Sequence, residues 1–500
     1  MPRRFVRESK FRHVFGETYK RDLCYENLNI TKNVWDGGRY CDVNSKFVAV
    51  VLDSNSGSTF VVLPIEKTGR IDSNISKFEG HKGKVLDLQF NPFNANVLAS
   101  AGEDGRIKIW NCPDGGITEN LSETLCDLIG HRKKVGIIQW HPSADNVLAS
   151  AGFDYDIIVW DVEKASPVRV ISCHSDVINS MCWNFDGSFL ATSSKDKKVR
   201  VIDPRKTEVE EQIVHEFNAH KGSKPVRVHF VDEKRVVTIG TQRSAAREIL
   251  LWNLDNVEEP ITQHELDDGS GNLLTVYDAF LNILYVAAKG DCTIKYFEIS
   301  KETPYVHYLS QYQSTTPQRG FGVLPKRAVK VNKCEVFRFY KMDSKNLIEP
   351  ISMVVPRKSD TFQQDIYPKV PGDTSALKAD DWFSGQNADP VLISLKDGFV
   401  RQRKNLLQSI HIRRKIFFDV GLKQAPAREE DLKKSFYAQQ DELSKLRELL
   451  KGKELKIRQL EYENKSLKKK KCDEEEEEQT TDTTTITNQV EIIVTGGGVE

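Results

Sequence analysis

Four side chains with chemical potential recur in this chain at fixed spacing. His81, Ser100, Asp104 and Trp110 form one set, and His131, Ser150, Asp154 and Trp160 form a second in the same order. Serine, histidine and aspartate are the components of nucleophilic acyl transfer, where imidazole takes the hydroxyl proton and the carboxylate orients the ring. An enzyme needs such a set once. Here it returns in weakening form: His174, Thr192 and Asp196 keep the spacing, with Ile202 in place of tryptophan. The next repeat keeps His220 and Trp252 but has Ala246 where the aspartate is expected, and a fifth, with His264, Ala287, Asp291 and Phe297, is weaker again. Repetition favours a structural reading. The carboxylate holds a tight turn and fixes the imidazole, and the hydroxyl links to the indole N–H, so buried polar groups are paired within each repeat. There is no phosphate-binding glycine loop, no metal-ligand cluster and no single-copy nucleophile motif. No catalytic residue, metal or cofactor is therefore assigned, and the chain reads as a binding protein.

The elements that position these residues follow from the period. Successive histidines are 50, 43, 46 and 44 residues apart, close to the roughly 40–45 residues of a WD repeat. Between them lie short alternating runs such as Val85–Phe90 and Val97–Ala101, bounded by turn residues such as Asn91-Pro92 and Asp104-Gly105, which is the pattern of strands. Four short strands per repeat describe a propeller blade. Val48–Leu52 and Phe60–Ile65 read as an earlier blade. Residues 305–342, with Val329-Lys-Val331 and Cys334–Tyr340, read as a last one. The expectation is an all-β seven-bladed propeller, with the segment near Lys10–Phe15 closing the ring so that no long edge strand stays open.

Composition bounds the function. The 500 residues carry 72 Lys and Arg against 72 Asp and Glu, a balance that argues against a dedicated nucleic-acid binder. The nine cysteines are scattered and form no C-x-x-C pair, as expected of reduced thiols in a cytoplasmic protein. The N-terminal Met1-Pro-Arg-Arg has no apolar run of the signal-peptide kind, and no stretch approaches the roughly 18 apolar residues of a membrane span.

Several segments outside the repeats resemble the coronin family. Ser9–Gly16 is similar to its N-terminal signature, and Cys24-Tyr-Glu-Asn27 and Lys67–Asp72 to its first blade. Phe90-Asn-Pro-Phe93 and Ile109-Trp110 stand where coronin blades place them, and Ile366-Tyr-Pro368 and Ala379–Gly385 resemble the extension that packs beneath the propeller. The resemblance runs over about residues 5–395. It implies a cytoskeletal protein of the actin-rich cell cortex that binds filamentous actin, cross-links filaments, and works with the actin-branching nucleator complex and filament-severing proteins. The alternative is a WD-repeat scaffold for a non-actin complex, in trafficking or linked to microtubules. One position departs from the family: the basic residue that coronins use against actin, five positions after the cysteine of Cys-Tyr-Glu, is here Asn29. Arg12, Lys20, Arg21 and Lys32 lie nearby in sequence as substitutes or as an ordinary solvated basic surface.

The C-terminal quarter changes character. Pro350–Pro390 is rich in Pro, Ser, Asp and Gly and reads as an arm on the propeller anchored by Trp382 and Phe383. Arg401, Arg403, Lys404, Arg413, Arg414 and Lys415 mark a basic linker, either a solvated tether or a second contact for an acidic surface. From Leu432 the apolar period becomes 3.5. Phe436, Leu443, Leu450, Ile457 and Asn464 form one seam position; Leu432, Leu446, Leu460 and Leu467 occupy the other. This is an α-helical coiled coil of about five heptads, about 54 Å long. Lys456-Ile-Arg-Gln-Leu-Glu461 resembles the trimer motif of coronin tails with Lys456 for its arginine. A homotrimer is expected, a tetramer next. The tail then runs through Lys468–Lys471 and Asp473–Glu478 to a Thr-rich end, a composition typical of disorder. The organisation read from sequence is thus a propeller over 1–350, an extension over 351–395, a linker over 396–430, a coiled coil over 431–471 and a tail over 472–500.

Overall fold

The computed structural model describes residues 9–32, 35–54, 58–359 and 361–399. Within them, six four-stranded antiparallel sheets and one larger sheet follow each other along the chain. Blade 1 comprises Cys41–Val43, Phe47–Val51, Thr59–Pro64 and Phe78–Glu79. Blade 2 comprises Val85–Phe90, Val97–Gly102, Arg106–Asn111 and Cys126–Ile129. Blade 3 comprises Val135–Trp140, Val147–Gly152, Ile157–Asp161 and Ser166–Ile171. Blade 4 comprises Ile178–Trp183, Leu190–Ser194, Lys198–Ile202 and Ile213–Asn218. Blade 5 comprises Arg227–Phe230, Arg235–Thr241, Arg247–Asn253 and Thr262–Asp267. Blade 6 comprises Leu273–Asp278, Ile283–Ala288, Thr293–Ile299 and Val306–Gln313.

Blade 7 joins the two ends of the ring. Gln318–Val323, Glu335–Asp343 and Ile348–Val354 supply its inner three strands, and Phe15–Thr18 supplies the outer one. The register runs antiparallel from Phe15 opposite Val354 to Thr18 opposite Ile351. The closing segment is held by more than its ladder. Phe11 and Val14 are buried among Ile283, Tyr296 and Met353, and the Tyr296 hydroxyl donates to the Val14 carbonyl at 2.7 Å. Seven blades closed by an N-terminal strand are what the repeat count leads one to expect.

The inner strands are apolar on both faces because each blade packs against a neighbour on either side. Phe47–Val51 is buried throughout, as are Val147–Gly152 and Ile157–Asp161. Such strands read as near-continuous apolar runs, whereas the outer strand Ser166–Ile171 faces solvent along most of its length and buries only Ile171.

Two sequence expectations give way here. Val329-Lys-Val331 is not a strand: the connection holds two short 3-10 turns, Lys326–Ala328 and Val331–Lys333, and the strand begins at Glu335. His264 does not open a repeat. It lies on the outer strand of blade 5 opposite Ile249, its ring against Phe297 at 5.4 Å. A step of 44 residues fell near the period by coincidence of strand spacing.

Beyond blade 7 the chain crosses the propeller beneath blades 3 and 4. Leu377 bridges Ala144, and the short helix Ala379–Phe383 sinks Trp382 to zero exposure. The Trp382 indole N–H donates to the Gly187 carbonyl at 3.2 Å, which also accepts from His141 Nε2 at 2.9 Å. His141 and Trp183 pack on the Trp382 ring at 4.7 and 5.7 Å. Burial pushes the His141 pKa down to about 3, so the ring is neutral, with Nδ1 free to accept the Ala144 N–H at 2.8 Å. Phe383 is half-buried beside it.

Candidate functional site

The recurring polar sets are internal braces. In blade 2, His81 Nδ1 donates to Asp104 at 3.0 Å, its Nε2 lies 2.7 Å from the Ser100 hydroxyl, and the Trp110 indole N–H donates to that hydroxyl at 2.8 Å. Blade 3 repeats this with His131, Asp154, Ser150 and Trp160 at 3.0, 2.8 and 2.8 Å. Each aspartate also caps its turn, as Asp104 does by accepting the Lys82 N–H at 2.9 Å. Burial alone would raise the Asp104 pKa, but the hydrogen bond and charge of His81 outweigh it and hold the carboxylate at about 2. Ser100, Ser150, Trp110 and Trp160 have no exposure. A hydroxyl sealed under an indole has no route to a substrate. Gly102 is required by the same packing, since a Cβ there would lie 2.5 Å from His81 Nδ1.

Blade 5 corrects the reading of Ala246 as a lost carboxylate. His220 Nδ1 pairs with Glu248 at 2.9 Å, its Nε2 lies 3.0 Å from the Thr238 hydroxyl, and Trp252 Nε1 donates to Thr238 at 2.9 Å. The set is complete. A longer side chain two residues further on reaches the same place from the strand instead of the turn. In blade 4, where Ile202 replaces tryptophan, His174, Thr192 and Asp196 keep their contacts, at 3.0 Å between His174 and Asp196 and 2.8 Å between His174 and Thr192. Arg200 adds itself to Asp196 at 2.9 Å.

These braces determine one face of the disc. In blades 2 to 4 the connection carrying the histidine and the turn carrying the carboxylate lie at the same end of the strands, and in blade 5 the His220 connection lies at that end too; we call this the turn face. It is strongly cationic on blades 2 to 5. Lys82, Lys133, Lys195, Lys197, Lys221, Lys224 and Arg243 are exposed on it without an ion-pair partner among the described residues. The carboxylates of the same turns are engaged: Asp104, Asp154 and Asp196 by their histidines, and Asp156 by Arg132 at 2.8 Å. The opposite ends of blades 4 and 5 expose Glu208, Glu210, Glu211, Glu233, Glu258 and Glu259. On blades 2 to 5 these unpaired cations thus gather at one end of the strands and the glutamates at the other. Sequence reasoning passed over these lysines, although a signal existed: Lys82 and Lys221 directly follow their histidines, and Lys195 and Lys197 flank Asp196.

The basic residues singled out near the N-terminus divide. Thr18 leads from the outer strand of blade 7 onto the turn face, so Lys20, Arg21 and Lys32 lie there, all exposed. Arg21 is already paired with Glu26. Arg12 precedes the strand and sits at its other end, so it does not join them. Asn29 is a structural link, its amide donating to the Asp53 carbonyl at 2.6 Å. The groove beside it, about 450 Å³, is lined by Asn27, Arg70, Lys345 and Asn346, so two cations from other parts of the chain stand at this corner. Arg401, Arg403, Lys404, Arg413, Arg414 and Lys415, and the seam from Leu432 to Leu467 with Glu461, lie outside the described residues.

Among the described residues no helix is long and apolar enough to cross a membrane, and no group of three metal-ligating side chains is found.

Known proteins agree with this architecture. A family model described as a WD domain, G-beta repeat, matches residues 72–111, 122–161 and 165–203. A second type of WD40 repeat matches 348–390, and a domain of unknown function matches 4–70. Coronin-2B of Homo sapiens is 48% identical over 468 residues, covering 92% of this chain and 96% of that protein, and Coronin-2B of Xenopus tropicalis is 47% identical over 466 residues, covering 92% and 96%. The crystal structure of the WD40 domain from Toxoplasma gondii coronin superposes with a TM-score of 0.72 at 30% identity, covering 77% of this chain and 97% of that one. At 48% identity over 92% of its length to Coronin-2B of Homo sapiens, this chain belongs to the coronin family.

Proposed function

We propose that this protein binds actin filaments through the cationic turn face of its propeller, and that oligomerisation through the coiled coil read at residues 431–471 lets it cross-link them. The observation that carries the reading is the row of exposed, unpaired lysines and arginine on one face, from Lys82 to Arg243, together with membership of the coronin family. A filament presents a repeating acidic surface. A flat cationic face suits it, because opposed potentials steer encounter and fix orientation. Each surface contact is weak and screened over a Debye length of about 8 Å at physiological salt. Affinity then comes from number. Several propellers on one coil raise the effective concentration of each at the filament and bridge neighbours. Lys20, Lys32, Arg70 and Lys345 extend the face toward Asn29, and the basic linker from Arg401 to Lys415 supplies a second contact. The nucleator complex and severing proteins are the further partners this reading includes, at the actin-rich cortex.

Co-sedimentation with filaments tests it. The full chain is expected to pellet with actin at low centrifugal force, and a chain lacking residues 431–500 only at high force. Reversing charge at Lys133, Lys197 and Lys221 together is expected to weaken binding by roughly tenfold or more at low salt. Full retention would remove the turn face from the interface. No pelleting of the unmodified chain in low salt would favour a scaffold for a non-actin complex.

A further inference from the structure

Three arginines border one space on the axis of the propeller; Arg39 pairs with Asp87, and Arg227 and Arg319 hydrogen-bond no carboxylate. Arg227, at the start of the inner strand of blade 5, is 8% exposed. It donates to main-chain carbonyls alone: Leu273 at 3.0 Å, Asn179 at 2.8 Å, and Asp36. Arg319, at the start of the inner strand of blade 7, donates from Nη2 to the Ser344 carbonyl at 3.1 Å, while its Nη1 is buried without a partner among the described residues. Both border an axial cavity of about 300 Å³ that Ser180, Thr275 and Gln139 also line. The two carboxylates on the wall have their own hydrogen-bond partners. Asp36 accepts from Lys289 at 2.9 Å and Asn272 at 2.6 Å, and Asp42 accepts the Phe90 N–H at 2.8 Å. The Asp36 carboxylate is close enough to favour the charged form of Arg227, whereas the buried Arg319 Nη1 is left unsatisfied, which is unfavourable. Burial pushes the Arg227 pKa down to about 10, which still leaves it charged at neutral pH.

We infer that this axial cavity binds a small phosphate-bearing anion between Arg227 and Arg319. Two planar forks match the charge and the oxygen geometry of a phosphate dianion better than they match a single carboxylate. The Ser180 and Thr275 hydroxyls can complete its coordination. A soluble ligand is favoured over a lipid headgroup because the mouth on the turn face is covered. There the Trp35 ring lies 5.1 Å from Phe153, and Asp36 is tied to blade 6 through Asn272 and Lys289. The inference is independent of actin binding.

Calorimetric titration of the full chain with inorganic pyrophosphate, at constant ionic strength set with chloride, tests it. Saturable binding is expected. Arg319→Gln, at a half-exposed position, should weaken it roughly ten- to a hundredfold. Arg319→Lys, which keeps the charge but loses the fork, should fall between, and Lys133→Glu on the turn face should bind as the unmodified chain does. Absence of binding would overturn the site. So would binding that Lys133→Glu abolishes and Arg319→Gln spares, since that places the anion on the surface. Arg319-dependent capture by phosphatidylcholine vesicles bearing a phosphoinositide would overturn the soluble assignment.

Discussion

Blade 3 and blade 6 solve one problem in two ways. In blade 3 the brace is local: His131, Ser150, Asp154 and Trp160 all come from the blade and the connection leading into it. In blade 6 the hydroxyl is Ala287, the indole is Phe297, and the histidine position falls in Asp268-Gly-Ser-Gly-Asn272. The turn aspartate, Asp291, remains, and Arg247 from blade 5 reaches it at 2.8 Å, with a further bond to the Gly271 carbonyl at 2.9 Å. Gly269 makes the room, since a Cβ there would sit 2.3 Å from the Arg247 guanidinium carbon. A local network braces one blade; the arginine couples two. The requirement common to both is a hydrogen-bonded anchor for the carboxylate that shapes the turn.

Breaking the inter-blade anchor should have the largest effect. Arg247→Ala strands Asp291 and the Gly271 carbonyl and removes a charge that also pairs with Asp267 at 3.3 Å. A loss of about 3–5 kcal/mol is expected by urea denaturation, and a loss below 1 would mean that blade 6 stands without the link. His131→Ala should follow at about 2–3 kcal/mol, because two buried partners lose their bonds at once. Glu248→Asp shortens the reach to His220 and should cost about 1–2 kcal/mol. Adding Ala246→Asp, which restores the usual turn position, should recover part of that loss; an unchanged melt in the single variant would show that the blade 5 brace is dispensable.

The braces also differ from the surface in acid. The folded pKa of Asp104 is depressed to about 2 from the ordinary carboxylate value of 3.8. Its contribution is therefore fully present above about pH 4 and is lost as pH falls through 2. Fluorescence of the buried tryptophans, followed on acidification, should show a transition in that window that moves when Asp104 is replaced by Asn. The smallest stability change should come from Lys133→Ala on the turn face, within about 0.5 kcal/mol, while on the proposed function it should weaken filament binding.

Much of the propeller is legible in the sequence because its repeating signal is local. His81 to Trp110 spans one blade, and strand alternation, turn residues and brace lie in one stretch of chain. Legibility fails where the brace departs from that spacing. Glu248 reaches His220 from an unexpected register, and Arg247 belongs by sequence to the wrong repeat. His264 failed for the opposite reason: the right spacing with no turn beneath it. The connection at Val329–Val331 alternates like a strand, yet two 3-10 turns bury Val329 and Val331 without a ladder.

Sequence alone determined the blade count, the repeated brace and the kinship with coronins, because each rests on residue types at short fixed intervals. Only the tertiary structure decided which charges share a face. Lys82, Lys133, Lys197 and Lys221 are scattered among acids along the chain, and the net charge is zero. They form one cationic surface because blades 2 to 5 bring their histidine connections to the same end. The carboxylates there turn inward to hold imidazoles, and the lysines, with no partner inside, remain in water.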